Sequence, residues 1–129
     1  MSRRRRDESA SAVVDFVLIM VVLMPLVLGI VQVGLVLHVR NTLTAAASDG
    51  ARYGASLDQA PEDGAQRTRD LIEGAIAGRY AEDVTAGVTE VGGYPGVEVR
   101  VHAEVPALGL IGPAVSLDVE GHAVDEVLP

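Results

Sequence analysis

Two groups of residues have types and spacings that could do chemistry. The first is Asp15, a carboxylate inside the apolar run Ala12 to Leu37. An acidic side chain at the centre of a membrane helix costs about 2.5 to 3.5 kcal/mol on insertion scales, and less near the interface. Its position therefore needs a cause. One reading is hydration through the near leaflet. The other is a partner charge: a cut between Ala10 and Ser11 would free an amine at Ser11, one helical turn from Asp15 and on the same face. The second group is His102 and His122, each on the polar side of an alternating segment rich in carboxylates. Two imidazoles on neighbouring strands are most simply surface residues, and no third ligand stands at a spacing diagnostic of zinc. No metal site and no cofactor are expected. The chain has no cysteine, no nucleophile set beside a base, and no phosphate-binding loop, since its Gly-X-X-X-Gly pairs fall in helical segments and lack the lysine. The residues point to assembly or binding and away from an enzyme.

The element that must position Asp15 is the apolar run itself. Its 26 residues carry only two strongly polar side chains, Asp15 and Gln32. As a helix it would be about 39 Å long, against about 30 Å for a hydrocarbon core. A lone segment in lipid has to satisfy its own backbone hydrogen bonds, so it must be helical. Pro25 removes one of those bonds and should bend the helix, which membrane helices tolerate. Residues 1–10 form a polar leader, expected to be disordered, in which Arg3, Arg4, Arg5 and Arg6 carry the topology signal. By the positive-inside rule they keep the N-terminus in the cytoplasm and send the remainder out. From His38 onward there are six arginines against fifteen carboxylates, an acidic balance that argues against a nucleic-acid partner.

Beyond the span, Val36, Val39, Leu43, Ala46, Ala47, Gly50 and Gly54 recur at steps of three and four, so the helix is predicted to continue, amphipathic, to about Ala55. Leu57 to Gly64 forms a turn, and Pro61 with Glu62 and Asp63 starts a second helix. That helix is predicted to reach Tyr80 or Ala81, supported by Asp63–Arg67 and Arg69–Glu73 pairs. Gly74 and Gly78 are expected to pack against Gly50 and Gly54. The tail then changes to a period of two. A strand from Val84 to about Val91 precedes a turn at Gly92 to Gly96, and two longer strands carry Val97 to Val105 and Val115 to Ala123. Antiparallel pairing with His102 opposite Asp118 also sets Arg100 against Glu120 and Glu98 against His122, and so fixes the register by charge. The connection Pro106 to Ala114 is apolar for a loop. Leu108, Leu110 and Ile111 either fold back over the sheet edge or form a contact patch for a neighbouring subunit or the outer membrane face.

The order Ala10, Ser11-Ala12-Val13-Val14, Asp15, Phe16, followed by the apolar helix and by VRNTLTAAASDGARYGA from Val39 to Ala55, resembles the TadE-like family of tight-adherence (Flp-type) pilus systems. The family pattern is a short Arg-containing leader ending in a small residue, usually Gly, then four residues, an acidic residue, usually Glu, and Phe or Tyr. Here Ala10 stands for the Gly and Asp15 for the Glu. The resemblance spans about Ser9 to Ala55. It implies a pseudopilin or minor pilin whose processing residues are Ala10, Ser11, Asp15 and Phe16. It also implies a prepilin peptidase, pilus or secretion platform proteins and other pilin-like subunits as partners, alongside membrane lipid. Asp15, Pro25, Leu108, Leu110 and Ile111 are the candidate assembly contacts.

The expected fold is therefore α+β: a single-pass membrane protein with a long N-terminal helix extending out of the bilayer, a second helix and a three-stranded antiparallel sheet. Its expected divisions are a cytoplasmic leader over 1–10, a transmembrane helix over 11–37, an amphipathic extension over 38–56 and a small exported domain over 57–129. The expected location is the cytoplasmic membrane, or the cell surface for a subunit that enters a filament. The alternative is a membrane-tethered exported binding domain with no pilus role. A secreted protein cut after Ala45-Ala46-Ala47 ranks below both, because the apolar run far exceeds the usual 7 to 15 residues of a signal sequence.

Overall fold

The computed structural model describes residues 2–107 and 114–127. The elements run α1 (Ser2–Ala55), α2 (Pro61–Ala75), a short 3-10 turn (Gly78–Ala81), β1 (Asp83–Val91), β2 (Tyr94–Val105) and β3 (Val115–Val124). The sheet is antiparallel in the order β1-β2-β3. This is the expected α+β architecture. Backbone contacts divide the chain into two units, Met1–Gly34 and Leu35–Pro129.

The first unit is helix alone. Residues 2–10, expected as a disordered leader, belong to α1. No Gly or Pro interrupts them, and Arg3–Asp7 and Arg4–Glu8 sit at the four-residue spacing that supports a helix. The helix also continues through Pro25.

In the second unit, the part of α1 after Leu35 turns one stripe inward. Val39, Leu43, Ala46, Ala47 and Ala51 are buried and Val36 is half-buried, as the three-and-four spacing requires. β2 alternates buried Val97, Val99, Val101, Ala103 and Val105 with more exposed polar residues, while Ile72 and Thr68 of α2 close the other side of the core. With no Trp and few aromatic rings, the core is built of Val, Leu and Ala, and depends on close backbone approach.

That approach is made by glycines other than those expected. Gly74 has nothing within 4 Å of where a Cβ would stand, and Gly78 meets only Glu73 Cγ at 3.8 Å. The residue facing Gly50 and Gly54 is Gly64: a Cβ on it would lie 2.5 Å from Gly50 O and 3.2 Å from Gly54 Cα. Thr68 follows one turn later, its hydroxyl 2.8 Å from Gly64 O and 3.3 Å from Ala46 O. The crossing thus falls at the start of α2. On the sheet side, a Cβ at Gly121 would meet the backbone of Ala47 and Ser48 at 2.3 to 2.4 Å. β3 therefore rides directly on α1.

α2 is shorter than expected. It ends at Ala75, Ile76 is extended (φ −141°), and the chain makes a separate 3-10 turn over Gly78–Ala81 that buries Tyr80. Ala75, the last residue of α2, is exposed. The intrahelical ion pairs are also replaced. Asp63 accepts the Ala60 N–H at 2.8 Å, which caps the helix start, Arg67 pairs with Asp49 of α1 at 3.1 Å, and Arg69 donates to Val84 O of β1 at 2.8 Å. Contacts that join elements are available to these side chains, whereas a pair within one helix contributes only about 0.2 to 0.5 kcal/mol.

The β1–β2 connection is tighter than expected. Only Gly92 (φ 57°) and Gly93 (φ 85°) form the turn, and Tyr94, Pro95 and Gly96 already pair with Val91, Glu90 and Thr89. Positive φ at both central residues is the two-residue hairpin geometry that matches strand twist, and glycine adopts it without steric cost.

Candidate functional site

Two places among the described residues carry the side chains singled out from the sequence. One is the first unit. Its α1 segment is strongly apolar, and none of its most apolar stretch is buried within the protein. It is long and apolar enough to cross a membrane. Phe16 is 61% exposed, and Val13, Val17, Ile19, Val22 and Ile30 are likewise open on several sides. A helix with bulky apolar residues all round is at home in lipid or among other helices, not in water. Ala10, Ser11 and Asp15 are exposed on this helix, as are Arg3 to Arg6, with Ser11 and Asp15 one turn apart. Pro25 stays within the helix. Leu108, Leu110 and Ile111 lie outside the described residues.

The other place is the outer face of the sheet, where the register carries all three expected charge pairs. His102 is opposite Asp118, Arg100 opposite Glu120 and Glu98 opposite His122. His102 Nδ1 donates to Asp118 Oδ1 at 2.7 Å, and His122 Nε2 donates to Glu98 Oε2 at 3.2 Å. Arg100 bonds Glu98 through Nε and stands 3.4 Å from Glu120 Oε1. The hydrogen bond and charge of Asp118 raise the His102 pKa above its ordinary 6.5, helped by Asp83 and Glu104. Burial among these strands pushes the Glu98 carboxyl up, but hydrogen bonds and charge from Arg100 and His122 outweigh it and leave the pKa below its ordinary 4.5.

The same register produces a cluster that spacing along the chain did not reveal. Glu98, Glu120 and His122 each bring a ligand atom within 4.8 Å of the others, a set a divalent cation could use. The signal was present in the pairing, since His122 and Glu98 were expected face to face with Glu120 one pair along. Arg100 decides what the cluster does here. Its guanidinium already supplies the positive charge shared by both carboxylates, so a metal ion would have to displace it. The face is a ladder of cross-strand ion and hydrogen-bond pairs that holds β2 to β3.

Together these features define a class: a candidate membrane-anchored protein with one N-terminal apolar helix, whose second half builds the core of a small α+β domain. The particular family comes from comparison. The family model for TadE-like protein matches residues 10–52, so this stretch, about a third of the chain, is TadE-like as the motif at Ala10 to Phe16 and the helix to Ala55 implied. The match suggests involvement in tight-adherence pilus-related assembly. Searches of curated proteins and of solved structures return no match to the chain.

Proposed function

We propose that this chain is a pilin-like component, a TadE-like pseudopilin or minor pilin, of a tight-adherence pilus assembly or secretion system. The observation that carries the reading is a coincidence of boundaries. The TadE-like match begins at residue 10, where the Arg-bearing leader ends, and covers the exposed apolar helix and its small-residue extension. In this reading a prepilin peptidase hydrolyses the Ala10–Ser11 bond. Water adds across the amide, Ala10 leaves with the new carboxylate, and Ser11 keeps the new amine. Removal of residues 1–10 takes away Arg3 to Arg6 and sets an ammonium one turn from Asp15. In lipid that pair neutralises a carboxylate that is otherwise costly there. Before the cut the helix stands N-in, with the acidic domain exported. Its activity is assembly through helix contacts in the bilayer with other pilin-like subunits and platform proteins, and it needs no cofactor or catalysis of its own.

The test is the intact mass of the mature protein from membranes of cells with and without the prepilin peptidase. The expected chain begins at Ser11 only when the peptidase is present. A chain that keeps Arg3 to Arg6 in both cells overturns the processing step and favours an unprocessed anchor carrying an exported binding domain.

A further inference from the structure

The sheet has two free edges, and the sequence treats them differently. In an antiparallel strand alternate residues turn both N–H and C=O to one side. Pro95 O accepts the Asp125 N–H beyond β3, and Val84 O of β1 accepts Arg69 of α2. Both contacts give one parity: odd residues of β1 bond β2, and Val84, Ala86, Val88 and Glu90 turn outward. Arg69 caps the first of these, while Ala86, Val88 and Glu90 have no hydrogen-bond partner on that side among the described residues.

The edge of β3 is guarded, because Asp118, Glu120 and His122 stand on it, and charged side chains are a usual defence against strand addition. Between Asp83 and Glu90 the edge of β1 has no charge at all. Val88 is 76% exposed although it lies on the face that packs the core, opposite Val97. On the outer face Gly87 leaves a concavity of about 340 Å³ lined by Thr85, Gly87, Thr89, Glu98 and Arg100 among others.

We propose that the open edge of β1, from Thr85 to Glu90, takes up an extended strand of a different, basic partner chain. Main-chain bonds to Ala86, Val88 and Glu90 would hold that strand, with an apolar side chain beside Val88 and a long one over Gly87. Charge selects the partner. The open stretch is bracketed by Asp83 and Glu90, neither of which has a salt bridge among the described residues, and the chain carries a net charge of −8. A second copy fits poorly in either orientation. Two β1 edges paired antiparallel would set the Asp83 end of each copy against the Glu90 end of the other. A β1 edge against a β3 edge would bring Asp83 and Glu90 toward Asp118 and Glu120. This inference does not depend on the pilus reading or on processing at Ala10.

The test uses the full chain in detergent micelles and two synthetic nine-residue probes, one alternating Val with Lys and one alternating Val with Glu. Amide hydrogen exchange is followed residue by residue along β1. The Val–Lys peptide is expected to slow exchange at Ala86, Val88 and Glu90 at least tenfold, and the Val–Glu peptide to leave it unchanged. Val88→Pro, which deletes one outward N–H at an edge where proline is tolerated, should abolish protection by the Val–Lys peptide. Gly87→Lys, which puts a positive charge in the concavity, should weaken that peptide at least tenfold and serves if the proline variant does not fold. Protection by neither peptide, or equal protection by both, overturns the proposal. So does protection without peptide that grows with protein concentration, which would mean that the chain pairs with itself.

Discussion

Gly29 and Gly50 lie on the same helix, yet they do opposite things. At Gly29 a Cβ would meet nothing within 4 Å, and the same is true at Gly34. At Gly50 a Cβ would fall on the Thr68 hydroxyl and lie 2.6 Å from Gly64 O. Before Gly34 the helix presents bulky apolar residues to its surroundings; beyond Leu35 it narrows to a stripe of small residues against which a second helix and a strand are laid. The first half is built for an outside phase, lipid or other helices, and its sequence has to meet only a hydropathy requirement. The second half is built for two particular backbones, and its sequence is constrained atom by atom.

The sharpest way to break this comparison is to put one side chain in both halves. Gly50→Val should destabilise the second unit by about 3 kcal/mol or more, because the neighbours to be displaced are the backbone carbonyl of Gly64 and the buried Thr68 hydroxyl. Gly29→Val meets open space and should leave the unfolding of that unit unchanged. Thermal unfolding of both variants in micelles, followed by the near-ultraviolet signal of the tyrosines, measures the contrast. Equal losses would mean that Gly50 is not at a packed crossing.

A smaller effect of the opposite sign sharpens it further. Gly74 lies in the last turn of α2, has nothing within 4 Å of its missing Cβ and does not have a positive φ. Gly74→Ala should therefore stabilise the second unit by about 0.5 to 1 kcal/mol, by removing backbone freedom from the unfolded chain. A denaturant midpoint that moves upward confirms that Gly74 is a conformational cost and not a contact; a lower midpoint would restore it to the packing.

How much of this was legible in the sequence depended on whether the deciding force leaves a periodic or a paired trace. The buried stripe from Val36 to Gly54 repeats at helical steps, and the β2–β3 register is written in charge, since sliding it by two residues would put Arg100 against His122 or Glu98 against Glu120. Both readings agree with the structure. The partner of Gly50 was not legible in this way. Gly64 and Gly74 are both glycines in one helix, and only the crossing point of that helix separates them. The end of α2 at Ala75 was hidden because Ile76, in extended backbone, and Tyr80, in a separate 3-10 turn, continue the apolar spacing. Ala10, Ser11, Asp15 and Phe16 were singled out by motif, and the structure places them on one exposed helix. The open edge of β1 was not found from the sequence, because which amides face outward follows from pairing and not from composition.

The outer face of the sheet gives the smallest and most conditional effect. The folded pKa of His102 is raised by Asp118, so this pair contributes stability that is complete below the unfolded histidine value of about 6.5 and fades as pH climbs through the higher folded value. Glu98 runs the other way: its folded pKa is lowered, so its contribution is present above the ordinary carboxylate range and fades as pH falls through the lowered value. The ladder is therefore complete in the mildly acidic interval between the two. Asp118→Asn removes the charge that raises His102 and leaves Glu98, Arg100 and His122 in place. The melting temperature of the wild-type protein should exceed that of the variant around pH 5.5, and the gap should shrink as pH rises past the folded His102 value. A gap independent of pH across that interval would show that Asp118 acts on the strand through hydrogen bonding alone. The protonation state of His102 would then play no part in holding β2 to β3.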